Sequence, residues 1–450
     1  MTAHDKFILT EETATDTVGR RTLRKMSWRL LPLLGLGYGI AYMDRTNISY
    51  AALQMNRDLG FSATVYGLSG GLFFLSYALL EVPSNLMLMR FGARRWLARI
   101  MLTWGVLAAG MMLVKTPAQF YAMRFLLGAA EAGFFPGVVF FLMYWFPANE
   151  RGRAISRFYV ALPLSMTVMG VVAGALLNLQ GHLRLAGWQW LFLVEGLPAI
   201  VLGLAFLVLL PNRPAEAKWL TLAERSWIES RLAADRVAPG VSPDHGVLRA
   251  LRDPRVLLLG VANVFVIGGN YAFSLSAPTV LIDATHLDVT RVGLLMAAVA
   301  VLGAVGMIAA GWYSDRRRER HLHLTVYMLV LAGAYGAMWL SPPAWLFALT
   351  YAVSVASFMA TQAVYFSIPS DVLRGRSAAA GIAAIGSIGM VGAFIGPYFW
   401  GLAKDFTGTY RAGLLALAAA YLSAATILAI LRRNARIEQS ATLVATSLVS

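Results

Sequence analysis

The polar residues of this chain are gathered into short connections, and the stretches between them are almost continuously apolar. Twelve such stretches can be marked, at 30–52, 62–88, 97–115, 118–145, 156–179, 187–210, 256–282, 291–312, 323–341, 344–366, 378–402 and 411–431. Each holds about 20 residues or more, which at roughly 1.5 Å per residue crosses a hydrocarbon core of about 30 Å. In a bilayer the backbone has no water to bond, so each stretch must close its own hydrogen bonds as a helix. The pattern predicts an all-α membrane protein with twelve transmembrane helices. Residues 1–29 and 432–450 are left as polar tails, and nothing in residues 1–26 has the apolar core of a signal peptide.

Aligning the connections exposes an internal repeat. Arg94-Arg95, after the second stretch, lies 222 positions before Arg316-Arg317, after the eighth. Pro147 and Pro369 are 222 apart, as are Gly170 and Gly392, and Gly174 and Gly396. The triplet Arg-Gly-Arg recurs at 151–153 and 374–376. Four matches at one offset mark a duplication. With six spans in each half, both halves enter from the same side, which predicts two parallel six-helix pseudo-repeats, 30–210 and 256–431. Such a duplication places a substrate path between the halves near the bilayer midplane. Residues 211–255 between them read as a linker with a short amphipathic surface helix within Ala215–Arg236.

Composition sharpens this picture. The chain is 58% hydrophobic and only 14% charged, against roughly 25% charged in soluble proteins. Its net charge of +15 does not point to nucleic acid once the positions are considered. With both termini cytoplasmic, 30 of the 38 Lys and Arg fall on cytoplasmic tails and loops, 6 outside and 2 within spans. That asymmetry is a topology signal, and the basic clusters are expected to meet lipid headgroups. The absence of cysteine excludes disulfides and thiolate chemistry. All 6 histidines fall in tails, loops or span edges, and neither a nucleotide-binding loop nor a metal-ligand cluster occurs. An ATP-driven pump or an enzyme is therefore not expected, and no cofactor is implied.

Several segments together carry a family resemblance: "YMDRTNIS" (42–49), "EVPSNLMLMRFGARRW" (81–96), "RFLLGAAEAGFFPG" (124–137), "WFPANERGRA" (145–154), "WQWLFLVEGLPA" (188–199) and "IGPYFWG" (395–401). Over nearly its full length the chain resembles the major facilitator superfamily, and within it the anion:cation symporters, which include bacterial tartrate, phthalate and sugar-acid permeases. The resemblance implies alternating access across a bacterial cytoplasmic membrane, driven by the proton gradient, by a monomer carrying a small organic anion. It also implies gating roles for Glu81, Arg94, Arg95, Asp315 and Arg316. Two departures stand out. Met89 occupies the place of an acidic residue in the loop after the second span, and Gly386 and Met390 replace asparagines that suit hydroxyl-rich substrates.

Two adjacent charges, Asp44 and Arg45, lie in the first span, and Arg124 and Glu131 lie two helical turns apart in the fourth. Ionisable groups are costly in lipid and mark ion paths or substrate sites. Depth arithmetic puts Asp44 and Arg124 at similar levels, about 9 Å from the outer edge, with Glu131 about 10 Å deeper. An arginine presents a planar fork that matches a carboxylate in two hydrogen bonds. Arg45 and Arg124 are therefore expected to bind the anion. Asp44 and Glu131 are expected to handle the coupled proton, with Asp44 competing for the guanidinium and Glu131 lying farther from Arg45. Ion pairs that merely tie helices together are the competing reading.

Other polar positions are open to two readings. Tyr77 is either a substrate contact or packing, and Glu81 either an inner-gate residue or a local backbone partner. Asn270, Tyr271 and Ser274 sit beside helix breakers in "GGNYAFSLSAP" and are candidate substrate contacts, with Gln362 and Ser387. Glu195 reads as a hydrogen bonder between helices. The expected function is proton-coupled uptake of an organic carboxylate, aromatic or dicarboxylic. The alternatives are a proton-driven exporter, whose Gly-Pro signature is replaced here by Gly174-Ala175, and a transport-dead nutrient sensor.

Overall fold

The computed structural model describes residues 3–237, 253–317, 319–365 and 376–447, apart from the side chains at 3–16, 236, 237, 311, 315, 317, 363, 376–380, 382, 383 and 435–447. Asp315 and the second-half loop motif at 368–378 thus lie outside the described side chains. Among the described residues there is no strand. The described residues form sixteen α-helices: α1 (Ala3–Leu59), α2 (Ala63–Phe91), α3 (Ala93–Gly110), α4 (Pro117–Glu131), α5 (Phe134–Met143), α6 (Ala148–Tyr159), α7 (Ala161–Leu177), α8 (Gly187–Leu209), α9 (Leu222–Val237), α10 (Pro254–Ser274), α11 (Ala277–Thr285), α12 (Val289–Arg317), α13 (Arg320–Trp339), α14 (Ala344–Tyr365), α15 (Arg376–Thr407) and α16 (Arg411–Ser447).

Eleven segments among the described residues are long and apolar enough to cross a membrane. The remaining predicted span, 30–52, lies within α1, where Asp44, Arg45, Thr46 and Asn47 dilute the hydropathy. The polar tail before it continues the same helix from Ala3. Local signals start the helices where they are needed. Ser62 accepts a hydrogen bond from the Val65 amide, Thr116 from Gln119 and Asp253 from Arg255, and Pro117 and Pro254 open α4 and α10.

The predicted spans are not all continuous. The fourth is broken between α4 and α5, where Gly133 has φ +86°, and a side chain there would meet Ser84 Oγ at 2.6 Å. Only glycine fits that left-handed, crowded position. The seventh span is likewise broken between α10 and α11, at Leu275 and Ser276. The linker helix α9 straps onto the first half. Glu224 accepts from Lys25 Nζ at 2.8 Å, and Asp235 accepts from the Ala148 amide at 2.7 Å.

The halves meet along α2 against α15 and α7 against α12. The contact is backbone to backbone: a methyl group on Gly170 would collide with the Gly293 carbonyl, and one on Gly67 with the Pro397 carbonyl. Asp405 accepts from the amides of Ala63 at 3.0 Å and Thr64 at 2.7 Å, and Tyr66 Oη donates to the Leu275 carbonyl at 2.6 Å. These bonds close the bundle at the end opposite the termini. Gly170→Ala is expected to disfavour this closed arrangement by about 1–3 kcal/mol, the usual cost of overpacking. The chain has no cysteine, so a single Ser49→Cys reporter reads the effect. Labelling by a membrane-impermeant maleimide added at the closed end should accelerate in the Gly170→Ala background, and an unchanged rate would refute the expectation.

Candidate functional site

The intramembrane charges separate into two groups because neighbouring helical residues point about 100° apart. Arg45 turns toward the centre of the molecule and meets Glu131, with Nη2 at 2.5 Å and Nε at 2.6 Å from the same Oε1. The Glu131 side chain is wholly buried, while 16% of the Arg45 side chain is exposed. The Arg45 guanidinium lies 4.8 Å from the centre of the Tyr77 ring and 6.0 Å from that of Phe73. This corrects the expected geometry, in which Glu131 lay farther from Arg45 and Asp44 was the competitor for its guanidinium. The long Arg45 side chain spans the difference in depth, and the helix break after Glu131 leaves its carboxyl at the end of α4.

Asp44 turns the other way, into the interior of the first half. Its Oδ1 accepts from Asn47 Nδ2 at 3.2 Å, and its Oδ2 has no hydrogen-bond partner. Arg124 is buried there as well, with its Cζ 4.6 Å from the centre of the Phe73 ring and its Nε and Nη1 unpartnered. Arg124 is only 1% exposed, so it does not present its fork to a cavity as the spacing had suggested. Glu195 is buried beside Asn47 and Asp44, both on α1.

A cavity of about 100 Å³ sits between the halves, and Arg45 forms part of its wall. Asn270, Tyr271 and Ser274, beside the seventh-span break, line it. The Tyr271 ring lies 4.0 Å from that of Phe74 on α2, a contact that joins the halves. Sequence reasoning missed Tyr42, Thr46 and Ser49, which share the Arg45 side of α1, and Tyr335, Tyr351 and Ser354 on α13 and α14. The α1 positions could have been found from helical spacing alone, since 42, 45, 46 and 49 recur on one face. The α13 and α14 positions carried no such signal, because isolated tyrosines and serines are common in apolar helices.

A larger cleft of about 1,070 Å³ opens at the termini end, between α1 and the pair α6 and α7. Arg20, Arg24, Arg153 and Arg157 lie at its polar end, and it reaches as deep as Met43. Gln362 and Ser387 line neither cavity; the Gln362 Oε1 is buried without a partner, and Ser387 is exposed. Of the expected gating residues, Arg94 donates its backbone amide to Asn212 Oδ1 at 3.0 Å, and Arg316 stacks 5.5 Å from the Trp312 ring. The Glu81 carbonyl accepts from Asn85 Nδ2 at 2.8 Å, and Arg95 is exposed beside Arg94. Among the described residues none of these four forms an ion pair.

Comparison with known proteins agrees with this architecture. A transporter of Agrobacterium vitis named for tartrate is 40% identical over 422 residues, covering 93% of each chain. A quinolone resistance transporter of Acinetobacter baumannii is 39% identical over 393 residues, covering 87% of this chain and 90% of that one. The metabolite transport protein NicT of Pseudomonas putida is 40% identical over 392 residues, with the same coverage. Among solved structures, a bacterial homologue of the lysosomal transporter Spinster, in an inward-facing and occupied conformation, superposes with a TM-score of 0.71 at 17% identity. It matches 90% of this chain and 95% of that chain. A D-xylose–proton symporter superposes at 0.69 and 15% identity, matching 89% and 97% of the two chains. The sequence model of the Major Facilitator Superfamily matches residues 34–397. The chain therefore belongs to the Major Facilitator Superfamily of membrane transporters and is not an enzyme.

Proposed function

We propose that this transporter takes up an organic carboxylate by proton symport across a bacterial cytoplasmic membrane. The observation that carries the reading is the Arg45–Glu131 pair in the wall of the central cavity. While Glu131 is ionised it occupies the guanidinium fork. A proton on Glu131 removes that competitor, and a substrate carboxylate takes its place with one oxygen for each N–H of the fork. Proton and anion thus favour each other's binding, and by reciprocity each tenfold gain in affinity corresponds to about 1.4 kcal/mol of coupling.

The positive-inside bias supports a cytoplasmic termini end, so the closed end is extracellular and the conformation faces inward. One proton gains about 2.3 kcal/mol per 100 mV of inside-negative potential, which offsets the unfavourable entry of an anion. The ring-rich cavity, with Tyr42, Tyr271 and Tyr351, favours an aromatic acid over a hydroxyl-rich one. The relatives named for tartrate favour an acid of some kind.

The test is uptake into proteoliposomes from a panel including tartrate and benzoate, with an imposed inward proton gradient. Concentrative, protonophore-sensitive uptake of one acid is expected, and none under any gradient would refute symport. Arg45→Lys keeps the charge but loses the fork. Its half-saturation constant should rise about tenfold to a hundredfold, the worth of one charged hydrogen bond of about 1.5–3 kcal/mol. An unchanged value would count against two-pronged recognition. The quinolone resistance relative favours a second reading, drug export by proton exchange. It predicts that the same vesicles expel quinolone when acidified on the opposite side.

A further inference from the structure

The charges inside the first half do not balance. Arg45 and Glu131 neutralise each other. Behind them, enclosed by α1, α3, α4 and α8, lie two carboxyls, Asp44 and Glu195, and one guanidinium, Arg124. They are 1%, 5% and 1% exposed. Among the described residues Arg124 makes no ion pair within 4 Å, and its charge acts at longer range on Asp44 and Glu131. Buried atoms without a hydrogen-bond partner concentrate here: Asp44 Oδ2, Asn47 Oδ1, both Glu195 oxygens, Trp104 Nε1, and Arg124 Nε and Nη1.

Depth places the three groups together. Counting from the closed end, Arg124 is seven residues into α4 and Glu195 eight into α8, about 10–12 Å in each case. Glu131 lies about 10 Å deeper on α4. The groups that face Glu195 can be named by helix. Asp44, Asn47 and Tyr50 come from α1, and Arg124 and Glu131 of α4 face Asp44 in turn. The neighbouring α3 contributes the uncharged Trp104, and α7 (Ala161–Leu177) has no ionisable residue.

Two ionised acids opposite one cation would leave a net negative charge in a water-excluded interior, which costs several kcal/mol. One added proton makes the set neutral. It also turns one acid into a donor, which can satisfy an orphaned acceptor such as Asn47 Oδ1 or the other carboxylate. We propose that Glu195 and Asp44 form a single proton-holding couple, with Asn47 between them and Arg124 as the nearby cation. Glu195 then has a role in proton binding that its place in the apolar sixth span conceals. The proton taken up comes from water and returns to water, and no other bond changes. The inference rests on the symport reading for its use in transport, but not for its detection.

The test is an infrared pH titration of the full-length purified protein without substrate, following the carbonyl stretch of protonated carboxylic acids. Beside the Glu131 band, which Glu131→Gln identifies by removing it, wild type should show one further protonated-carboxyl signal that disappears in Glu195→Gln and equally in Asp44→Asn. Removing either acid leaves the other as a carboxylate balanced by Arg124. Glu195→Asp keeps the acid and should keep the signal, which guards against a folding artefact. A second signal, one not removed by Glu131→Gln, that survives Glu195→Gln would overturn the proposal. So would a signal abolished by sodium chloride at constant pH, because the couple would then be a metal-cation site. Failure of the wild type to accumulate any acid in the vesicle assay would remove the symport reading and leave these spectra unchanged.

Discussion

Glu131→Gln should abolish concentrative uptake while leaving exchange of substrate across the membrane intact. The substitution preserves shape but cannot change charge. Glu131 Oε1 receives both Arg45 contacts, so the amide oxygen of glutamine can still accept from the guanidinium. A hydrogen bond to a neutral acceptor is roughly half as strong as one to a carboxylate. The substrate therefore meets a weaker competitor at every pH. Its affinity should rise by about 1–2 kcal/mol, or roughly fivefold to thirtyfold, and lose its pH dependence. With no proton taken up in step with the anion, the accumulation ratio under a proton gradient should fall to that of passive equilibration. Counterflow in proteoliposomes measures exchange, and pH-gradient uptake measures coupling. A variant that concentrates substrate as wild type does would remove Glu131 from the coupling role.

Removing Arg124 should produce the largest loss of stability of any single change in the first half. Arg124→Gln leaves Asp44 and Glu195 without a cation in a region where all three are at least 95% buried. Breaking a buried charge arrangement by deleting one partner costs about 3–5 kcal/mol. The loss should shrink in acid, where both carboxyls take up protons, and should be greatest in alkali. A second change, Glu195→Gln, removes one of the stranded charges, so Arg124→Gln/Glu195→Gln should melt above Arg124→Gln alone. Thermal unfolding in detergent across a pH series reads both effects. Equal melting temperatures for the single and double variants at alkaline pH would show that Arg124 and Glu195 do not share one electrostatic site.

Twelve apolar stretches, their duplication and the positions of the intramembrane charges were legible along the chain, because transfer from water to lipid acts on composition and length. The broken helices were only half legible. Gly133 and Pro278 are visible as breakers, but a glycine in a membrane helix is just as often a close-packing position, as Gly170 and Gly67 are here. The partners of the charges were not legible. Asp44 and Arg45 are neighbours in sequence, yet the helical turn sends one toward Glu195 and the other toward Glu131.

By itself, the sequence determined that this is a helical membrane protein of two similar halves with acids and arginines held in its first half. Hydrophobic length and internal repetition require no knowledge of packing. The tertiary structure alone decided which acid meets which arginine, that Arg124 is enclosed rather than open to the cavity, and that the halves close at the end away from the termini. Those outcomes depend on the rotation and depth of each helix against its neighbours. They are set by close packing across helices distant in the chain, which no local pattern of residues encodes.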